Sequence, residues 1–477
     1  MNHNEKIIEF FKEISKIPRA SGDEKAISDY LVKFAKDRNL EVYQDEHYNV
    51  IIKKKASSDC IKTSPVILQG HMDMVYVKRN DSNHNYKDGI NVLEKDGLLY
   101  ADGTSLGADN GVAVAYILTL LDSDDIKHPD IEAIITVKEE VGLEGAQSID
   151  ATKISGKYLI NLDAENEGVF FTSCAGGVRC HLGIPFETEE KSSLNIINIS
   201  IQGLKGGHSG LDIAQGRANA IKLGARILNK IQDEYSLVDF TCNGAANAIA
   251  NECFIKIAVS PEKCEAVKNE ILDFAEILKK EYRITDSEIN IGAEINSETE
   301  KIDVLTENSK NNLVCALILH PQGIQGMSFD MPGLVESSIN IGAVTRTENK
   351  YIILSSTRSS VASKKKEIKD FISVIASVVG GSTYFFNDYP QWTYNPTSPL
   401  RDIAVEAYES LFNKKAQTTA VHAGLECGYF DDKIEGLDII SFGADLSEPH
   451  SPNETARVQS IYNIWKLIVE ILEKLSA

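Results

Sequence analysis

The chain has 477 residues, of which 43% are hydrophobic and 25% are charged, as in typical globular proteins. At roughly 150 residues per domain, this length predicts two or three domains. The 49 basic and 70 acidic residues give a net charge of −21. This charge disfavours nucleic acids and anionic membranes as partners, because both require a basic surface.

The cysteines and the first residues indicate the compartment. The eight cysteines form no C-x-x-C pair, and they are too sparse to imply a disulfide scaffold. The opening MNHNEKIIEFFKEI has acidic residues where a signal peptide has basic ones, and no apolar segment follows. The longest apolar stretches, 112–121 and 371–379, are too short to cross a bilayer. We therefore expect a soluble, reduced, cytoplasmic protein.

The first part of the chain alternates strands with helices. Apolar residues at helical spacing predict two helices within the first 40 residues, separated by Ile17–Gly22. Short apolar runs then predict strands at 66–68, 131–137 and 158–162, with a helix at 112–121 between the first two. This alternation predicts an α/β sheet covered by helices.

The pattern changes near residue 184. Strands at 195–201 and 254–259, helices at 218–231, 260–281 and 368–379, and a hairpin of 336–344 with 351–356 predict an α+β domain. From about residue 395, a helix at 402–411, a strand at 438–442 and a helix at 460–475 resemble the first part again. We therefore predict a catalytic domain of residues 1–184 and 394–477, interrupted by an inserted domain of residues 185–393.

Side chains that can bind metal ions follow the predicted strands of the first domain. In open α/β sheets, ligands bind at the carboxyl ends of the strands. His71 and Asp73 follow the strand 66–68, and an Asp two residues after a His can fix the tautomer of the imidazole. A buried histidine beside a carboxylate also explains this pair. Asp109, at the entry to the helix 112–121, is either an N-cap or a carboxylate shared by two cations.

Adjacent glutamates, Glu139 and Glu140, end the strand 131–137. Such pairs are common on solvated faces, but over a cleft one Glu can bind a metal while the other takes a proton from water. Asp163 follows the strand 158–162. His450 lies in the proline-braced loop 446–452, where a surface histidine is the simpler explanation when it is considered alone.

Taken together, these residues form a set suited to two divalent cations. The chain has only ten histidines. The two imidazoles and three carboxylates suit borderline ions such as Zn²⁺ or Mn²⁺; they belong to His71, His450, Asp109, Glu140 and Asp163. Two such ions can hold a hydroxide between them and polarise a carbonyl, which is the equipment for amide hydrolysis.

The motifs HMDMV, GADNG, EEVG, NLDAE and EPHSP occur in the order found in the M20 metallopeptidases, and the chain resembles that family over essentially its whole length. It is most similar to the aminoacyl-histidine dipeptidase branch, also called cytosolic non-specific dipeptidases or peptidase D. The segments IPRASGDE, SCAGG, GGHSGLDI, GRANA, SSTRSS and HAGLECG extend the match. The resemblance implies a zinc-peptidase-like catalytic domain, with a mixed sheet flanked by helices, interrupted by an α+β lid domain.

The resemblance implies roles for the residues of the first domain. His71 and Asp163 would bind one metal ion, and Glu140 and His450 would bind the other. Asp109 would bridge the two ions, with a cis peptide bond after it. Zn²⁺ is the expected ion, and the sequence does not exclude Mn²⁺ or Co²⁺.

Two further residues complete the implied catalytic machinery. Asp73 would be the partner of His71. Glu139 would be the general base, which deprotonates the metal-bridging water and passes the proton to the leaving amine.

The lid of the family supplies the substrate contacts. His208, in GGHSG, matches the histidine that stabilises the tetrahedral oxyanion. Asn247 and Arg358 match substrate-binding residues, and Arg358 can hold a free carboxylate through two hydrogen bonds. Gly424 lies in a segment that lines the substrate site in relatives, and His422 beside it either contributes or only packs. A homodimer through the lid is the family expectation.

The implied activity is hydrolysis of unblocked dipeptides, including Xaa-His dipeptides. The main alternative is another M20 activity: a tripeptide aminopeptidase, an N-acyl amino acid deacylase or a carboxypeptidase. A binding protein on the same scaffold should have lost a metal ligand or Glu139, and none is missing. An interaction protein with an acidic face would leave the five strand-end motifs as coincidence.

Overall fold

The computed structural model describes residues 2–62, 64–299 and 301–477. The α-helices of these residues are α1 (His3–Ser15), α2 (Lys25–Asp37), α3 (Ala108–Leu121), α4 (Glu144–Ser148), α5 (Ala220–Lys230), α6 (Cys264–Glu281), α7 (Glu307–Leu319), α8 (Ala362–Val378), α9 (Pro399–Phe412), α10 (Cys427–Lys433) and α11 (Val458–Leu475).

The strands up to the middle of the chain are β1 (Glu41–Gln44), β2 (Val50–Lys54), β3 (Val66–His71), β4 (Val92–Lys95), β5 (Leu98–Ala101), β6 (Ile131–Thr136), β7 (Tyr158–Asn161), β8 (Val169–Cys174), β9 (Gly176–Pro185), β10 (Thr188–Lys191), β11 (Leu194–Gln202) and β12 (Ser236–Thr241). The later strands are β13 (Cys253–Val259), β14 (Asn290–Thr299), β15 (Ile302–Leu305), β16 (Gly323–Met327), β17 (Val335–Arg346), β18 (Lys350–Ser359), β19 (Ser382–Tyr389), β20 (Gln417–Val421), β21 (Asp438–Ser441), β22 (Leu446–Ser447) and β23 (Thr455–Arg457).

The chain divides into two compact units. Unit 1 comprises Met1–Cys174, Trp392–Val421 and Leu425–Ala477, and unit 2 comprises Ala175–Gln391 and His422–Gly424. The predicted boundary at 184 therefore falls at the end of β9, which pairs with β18 and β19 of unit 2. The short segment 422–424 also groups with unit 2, although we expected all of 394–477 in the catalytic domain.

Unit 1 is built on a mixed sheet of eight strands in the order β1-β2-β6-β3-β7-β21-β8-β20. The central strands β6, β3, β7 and β21 run parallel, while β1, β2 and β8 pair antiparallel with their neighbours on at least one side. These central strands are buried along most or all of their length, as their continuous apolar runs predict.

Helix α3 forms the centre of the core of unit 1. It is apolar on all sides, and every residue from Asn110 to Leu121 is buried, which is the pattern of a helix enclosed by other elements. It packs against β3 and α1. A second sheet of unit 1 has the order β22-β23-β5-β4 and lies next to the start of α3 in the chain.

Unit 2 has an α+β architecture with its own hydrophobic core. One antiparallel sheet has the order β12-β13-β11-β14 and is covered by α5 and α6. Another has the order β16-β17-β18-β9-β19 and is covered by α8. The short pair β10-β15 forms a third sheet. The mixed sheet with helices in unit 1 and the α+β unit 2 confirm the predicted fold class.

Every helix and strand predicted from periodicity is present, with ends that differ by a few residues. Helix α7 was not predicted, because its polar first half, ENSKNN, and apolar second half have no helical period. Among the helices of the described residues, none combines the length and the apolar character that a membrane span requires.

We expect Leu118→Ala to lower the free energy of unfolding of unit 1 by about 2–5 kcal/mol, because the cavity would form inside a fully enclosed helix. Leu118 is 0% exposed. Both tryptophans, Trp392 and Trp465, lie in unit 1, so chemical denaturation followed by tryptophan fluorescence measures the effect. The matched control is Leu411→Ala in α9, where the leucine is 40% exposed. Equal losses in the two variants would contradict the enclosed position of α3.

Candidate active site

Three parallel strands deliver side chains to one edge of the sheet in unit 1. His71 is the last residue of β3, so the strand continues three residues beyond the predicted 66–68. After β6, Lys138 adopts a left-handed φ of 49°, which turns the chain before Glu139 and Glu140. Asp163 follows the end of β7 by two residues. The parallel register of β3 with β6 and β7 places these side chains at the same edge.

Asp109 does not cap helix α3, so the alternative explanation of this residue is wrong. The N-cap is Gly107, and Asp109 itself has a non-helical ψ of 108°. The peptide bond between Asp109 and Asn110 is cis, as the resemblance implies. The Asp109 carboxylate is thus not committed to the helix and faces two histidines.

The two oxygens of the Asp109 carboxylate contact different imidazoles. Oδ1 lies 3.2 Å from His71 Nε2, and Oδ2 lies 3.2 Å from His450 Nε2. Each imidazole nitrogen also has a carboxylate of its own: Asp163 Oδ1 is 3.3 Å from His71 Nε2, and Glu140 Oε1 is 2.8 Å from His450 Nε2. The five side chains therefore form two groups that share Asp109.

Asp73 supports both sides of this arrangement. Its Oδ1 lies 3.3 Å from His71 Nδ1 and accepts a hydrogen bond from the backbone N–H of Glu139 at 3.1 Å. Its Oδ2 accepts from Ser21 Oγ at 2.8 Å and from the Glu140 N–H at 3.4 Å. One fully buried carboxylate thus orients the His71 ring and the glutamate pair together.

Burial and charge crowding perturb the ionisation of these groups. Burial lowers the pKa of His71, but neighbouring carboxylates, above all Asp163 and Asp109, raise it well above its ordinary value. Hydrogen bonds to Asp109 and Glu140 raise the pKa of His450 to about 10. Burial raises the pKa of Asp163 to about 7, although His71 opposes this shift. The carboxylates around the two imidazoles therefore favour the charged form of both rings.

The donor atoms fit two divalent cations. His71, Asp109 and Glu140 each offer a ligand atom within 4.8 Å of the others. Imidazole nitrogens and carboxylate oxygens are the ligands of Zn²⁺ and similar ions. Two groups of one histidine and one carboxylate that share a third carboxylate have the composition of a two-ion centre.

Glu139 lies beside these ligands without belonging to either group. Burial raises the pKa of Glu139 well above its ordinary value; His71 opposes this, and the charges of Asp163 and Glu426 add to it. A carboxylate with a raised pKa is a stronger base than an ordinary glutamate, which suits it to accept a proton.

A second set of predicted residues comes together in unit 2, around Gly210. A Cβ atom on Gly210 would lie 2.7 Å from the His422 carbonyl oxygen, 3.1 Å from His208 Cε1 and 3.2 Å from Arg358 Nε. Only glycine allows this close approach. The His208 and Arg358 side chains and the His422 backbone therefore surround one point of the loop that follows Gly206.

Backbone hydrogen bonds define the tautomer of neutral His208. Its Nδ1 accepts from the N–H groups of Gly210 at 3.3 Å and Leu211 at 3.1 Å. The proton of the neutral ring must then lie on Nε2. Burial and the charge of Arg358 lower the pKa of His208, so the neutral, Nε2-protonated form is favoured.

Arg358 and His422 have unused hydrogen-bonding capacity. Arg358 is 9% exposed; its Nη1 donates to Tyr389 Oη at 3.1 Å, and its buried Nε has no hydrogen-bond partner among the described residues. His422 Nε2 is 2.7 Å from Ser338 Oγ, while its buried Nδ1 also lacks a hydrogen-bond partner in the part of the chain that the structure describes. Both side chains are thus held in place with polar atoms left over.

Asn247 and Gly424 lie in the same part of unit 2. The Asn247 carbonyl accepts from the Ser209 N–H at 2.8 Å, which places this exposed residue next to the His208 loop. Gly424 belongs to the segment 422–424 with His422. All twelve predicted site residues therefore fall into two clusters, one within each unit.

Three buried charged residues near the first cluster were not predicted. Glu454 accepts hydrogen bonds from four backbone amides before and at Asp109. Arg19 donates to the carbonyls of Met72, Asp73 and Gly107. Glu426 accepts from Gln69 and Thr136 below the ligand layer. They lie within or just beside recognisable motifs, but their partners are mostly backbone or uncharged groups, which a sequence pattern does not reveal.

Comparisons with known proteins extend over the whole chain. Residues 67–474 match the model of Peptidase family M20/M25/M40. The cytosol non-specific dipeptidase of Escherichia coli (strain K12) is 33% identical over 473 residues, which cover 98% of this chain and 97% of that protein.

Solved structures agree with this relationship. The crystal structure of aminoacylhistidine dipeptidase from Vibrio alginolyticus matches with a TM-score of 0.92 and 32% identity, covering 98% of this chain and 96% of that one. The aminopeptidase PepT from Bacillus cereus ATCC 10987 shares the fold, with a TM-score of 0.58 and 18% identity over 99% of each chain. The extent of these matches, together with the order of its motifs, establishes that the chain is a peptidase of family M20/M25/M40.

Proposed function

We propose that this protein is a two-metal dipeptidase that hydrolyses unblocked dipeptides, including Xaa-His dipeptides. The observation that carries the proposal is the placement of the Asp109 carboxylate between His71 and His450, each with a second carboxylate of its own. The full-length similarity to a non-specific dipeptidase and to an aminoacylhistidine dipeptidase supports the substrate class.

In this proposal, His71 and Asp163 hold one ion, Glu140 and His450 hold the other, and Asp109 is shared. Zn²⁺ is the first candidate, and Mn²⁺ or Co²⁺ suit the same ligands. When bound, such ions lower the pKa of water and polarise the scissile carbonyl. Asp73 keeps the His71 ring in the orientation that presents Nε2 to the site.

We assign the proton transfers to Glu139. Its carboxylate takes a proton from the attacking water and delivers it to the nitrogen of the departing amino acid. The raised pKa of Glu139 suits both steps, because the group is a stronger base than an ordinary glutamate and still a competent acid. The hydrogen bond from the backbone N–H of Glu139 to Asp73 fixes the backbone from which this side chain extends.

We assign the oxyanion contact to His208. A neutral imidazole with its proton on Nε2 can donate a hydrogen bond. Because it carries no charge, it does not compete with Arg358 for the substrate carboxylate. Such a donor stabilises the negative charge that develops on the carbonyl oxygen in the transition state. The two amide hydrogen bonds to Nδ1 hold the ring ready for this role.

Substrate recognition would rest on Arg358, with Asn247, Gly424 and His422 beside it. The guanidinium of Arg358 can hold the free carboxylate of a dipeptide. In this proposal unit 2 is the lid of the enzyme and also provides a homodimer contact. We further propose a cytoplasmic location, in keeping with the name of the Escherichia coli relative.

We expect Leu-His or β-Ala-His to be cleaved, the N-acetylated peptide to resist cleavage, and a chelator to abolish the reaction until Zn²⁺ or Mn²⁺ is restored. Liquid chromatography of the released histidine measures all three. Preference for the acetylated peptide would place the chain among deacylases or carboxypeptidases. Activity that survives chelation would overturn the two-metal mechanism.

We expect Glu139→Gln to lower kcat by about 10²–10⁴-fold, because general acid–base catalysis contributes about that factor. The content of bound metal, measured by elemental analysis, should stay unchanged. Glu144→Gln is the matched control, since Glu144 lies a few residues further along the chain and pairs with Lys138 at the surface. A tenfold or smaller loss in Glu139→Gln would remove Glu139 from the proton transfers.

We expect Arg358→Lys to reduce kcat/KM for a free dipeptide about 10–100-fold, because a charged hydrogen-bond pair worth about 1.5–3 kcal/mol is weakened. The ratio of kcat/KM between the dipeptide and its C-terminal amide should fall by the same factor. Arg226→Lys is the control, since Arg226 pairs with Glu281 on the surface of unit 2. An unchanged acid-to-amide ratio would mean that Arg358 does not bind the carboxylate.

A further inference from the structure

A buried carboxylate joins two loops that carry proposed metal ligands. Glu454 is 3% exposed and follows His450 by four residues in the same loop. Its Oε2 accepts from the amides of Leu106 and Gly107 at 2.7 and 2.8 Å. Its Oε1 accepts from the amides of Ala108 and Asp109 at 2.8 and 3.2 Å. Both oxygens of the Glu454 carboxylate are thus hydrogen-bonded to the backbone that leads into Asp109.

The small sheet of unit 1 fixes the other side of this connection. Glu454 immediately precedes β23, and Thr455 of that strand pairs with Tyr100 of β5. The loop with Asp109 leaves from the end of β5, and the loop with His450 joins β22 to β23. Both ligand loops are therefore attached to neighbouring strands, and the hydrogen bonds of the Glu454 side chain connect one loop to the other.

Arg19 holds the same loop from the carbonyl side. Its Nη2 donates to the Gly107 carbonyl at 2.6 Å, and its Nη1 donates to the Met72 carbonyl at 3.0 Å. Gly107 has a φ of +71°, and a Cβ atom there would lie 2.7 Å from Arg19 Nη2. Gly107 is therefore bound by Glu454 at its N–H and by Arg19 at its carbonyl, so the peptide units before Asp109 have little freedom to rotate.

We propose that Glu454 is a positioning residue of the metal centre, which sets the distance between the Asp109 and His450 ligands. The proposal rests on the two-ion site described under Proposed function. Within the described part of the chain, the Glu454 carboxylate forms no hydrogen bond or ion pair with a ligand side chain; it acts through the backbone of Asp109 and through its own loop. Groups that orient metal ligands in this indirect way affect metal affinity about 10–100-fold when they are removed.

The test compares Glu454→Gln with the parent chain in Zn²⁺ binding. In the variant, the side-chain oxygen of the glutamine can still accept two N–H groups. Its NH₂ group cannot accept the other two, because it is itself a donor. The number and affinity of bound Zn²⁺ ions are measured on the full, metal-depleted chain by competition with a chromophoric chelator. Circular dichroism and the melting temperature of the metal-free proteins measure stability separately.

The matched control is Glu448→Gln. Glu448 lies in the same loop and is exposed, and its carboxylate accepts a hydrogen bond from Asn453 Nδ2 at 3.1 Å. We expect Glu454→Gln to weaken Zn²⁺ binding about 10–100-fold and Glu448→Gln to change it less than twofold. If Glu454→Gln does not fold, Glu454→Asp keeps the charge but shortens the reach, and it should weaken Zn²⁺ binding about tenfold.

The possible results separate the two proposals. A parent chain that binds Zn²⁺ together with a folded Glu454 variant that binds it equally well would overturn the positioning role alone. The same holds if the variant only loses melting temperature in the metal-free state, since that is the result of a purely structural contact. A parent chain that binds no Zn²⁺ would overturn the metal centre itself and the positioning role with it.

Discussion

Several buried carboxylates lie together at one edge of the sheet in unit 1, and the surrounding structure must compensate their negative charges. Asp109, Glu140 and Asp163 surround two imidazoles, and further acids lie next to them. Burial raises the pKa of Glu165 and of Glu426 to about 7 each, and the charges of nearby carboxylates add to both shifts. Like charges buried together destabilise one another unless cations or hydrogen-bond donors lie between them. The two histidines provide part of this compensation, and the proposed metal ions would add to it.

The remaining compensation comes from the backbone. Asp73 and Glu454 accept six amide N–H groups between them, all from segments that carry the proposed catalytic side chains. The guanidinium of Arg19, whose pKa burial lowers although acidic neighbours oppose this, lies against three carbonyl groups instead of a carboxylate. In this way the buried acids stabilise loop conformations, and the loops in turn fix where the ligand side chains point. Substitution of Glu454 or Arg19 would therefore affect the ligands through the backbone, whereas Asp73 also contacts His71 directly.

Much of this site could be predicted from the sequence, for a specific physical reason. A buried parallel strand is visible as an apolar run, and its carboxyl end is where ligands collect, so His71, Glu140 and Asp163 stand out from position alone. The role of Asp109 is ambiguous in the sequence, because an Asp before a helix is usually its N-cap. Only the structure shows that Glu454, far along the chain, accepts the hydrogen bonds of the amides in that turn. Glu454 and Arg19 could not be predicted, since their partners are backbone groups brought together by the fold. The predicted boundary at residue 184 lies after β9 and not before it. The mostly buried pattern of β9 suits either unit, and only its pairing with β18 and β19 assigns it to unit 2.

The order of the ligands along the chain has a consequence for biosynthesis. His71, Asp109, Glu140 and Asp163 all precede Ala175, whereas His450 and Glu454 follow Gln391, so the whole main segment of unit 2 is translated between them. At about 5–20 residues per second, this interval lasts on the order of tens of seconds. During that time the emerging chain carries the shared aspartate and one complete ligand group without the loop that completes the other. In the proposed two-metal centre, the residues of the His71 group would therefore be available first, and those of the second group would be complete only after the last segment had been made.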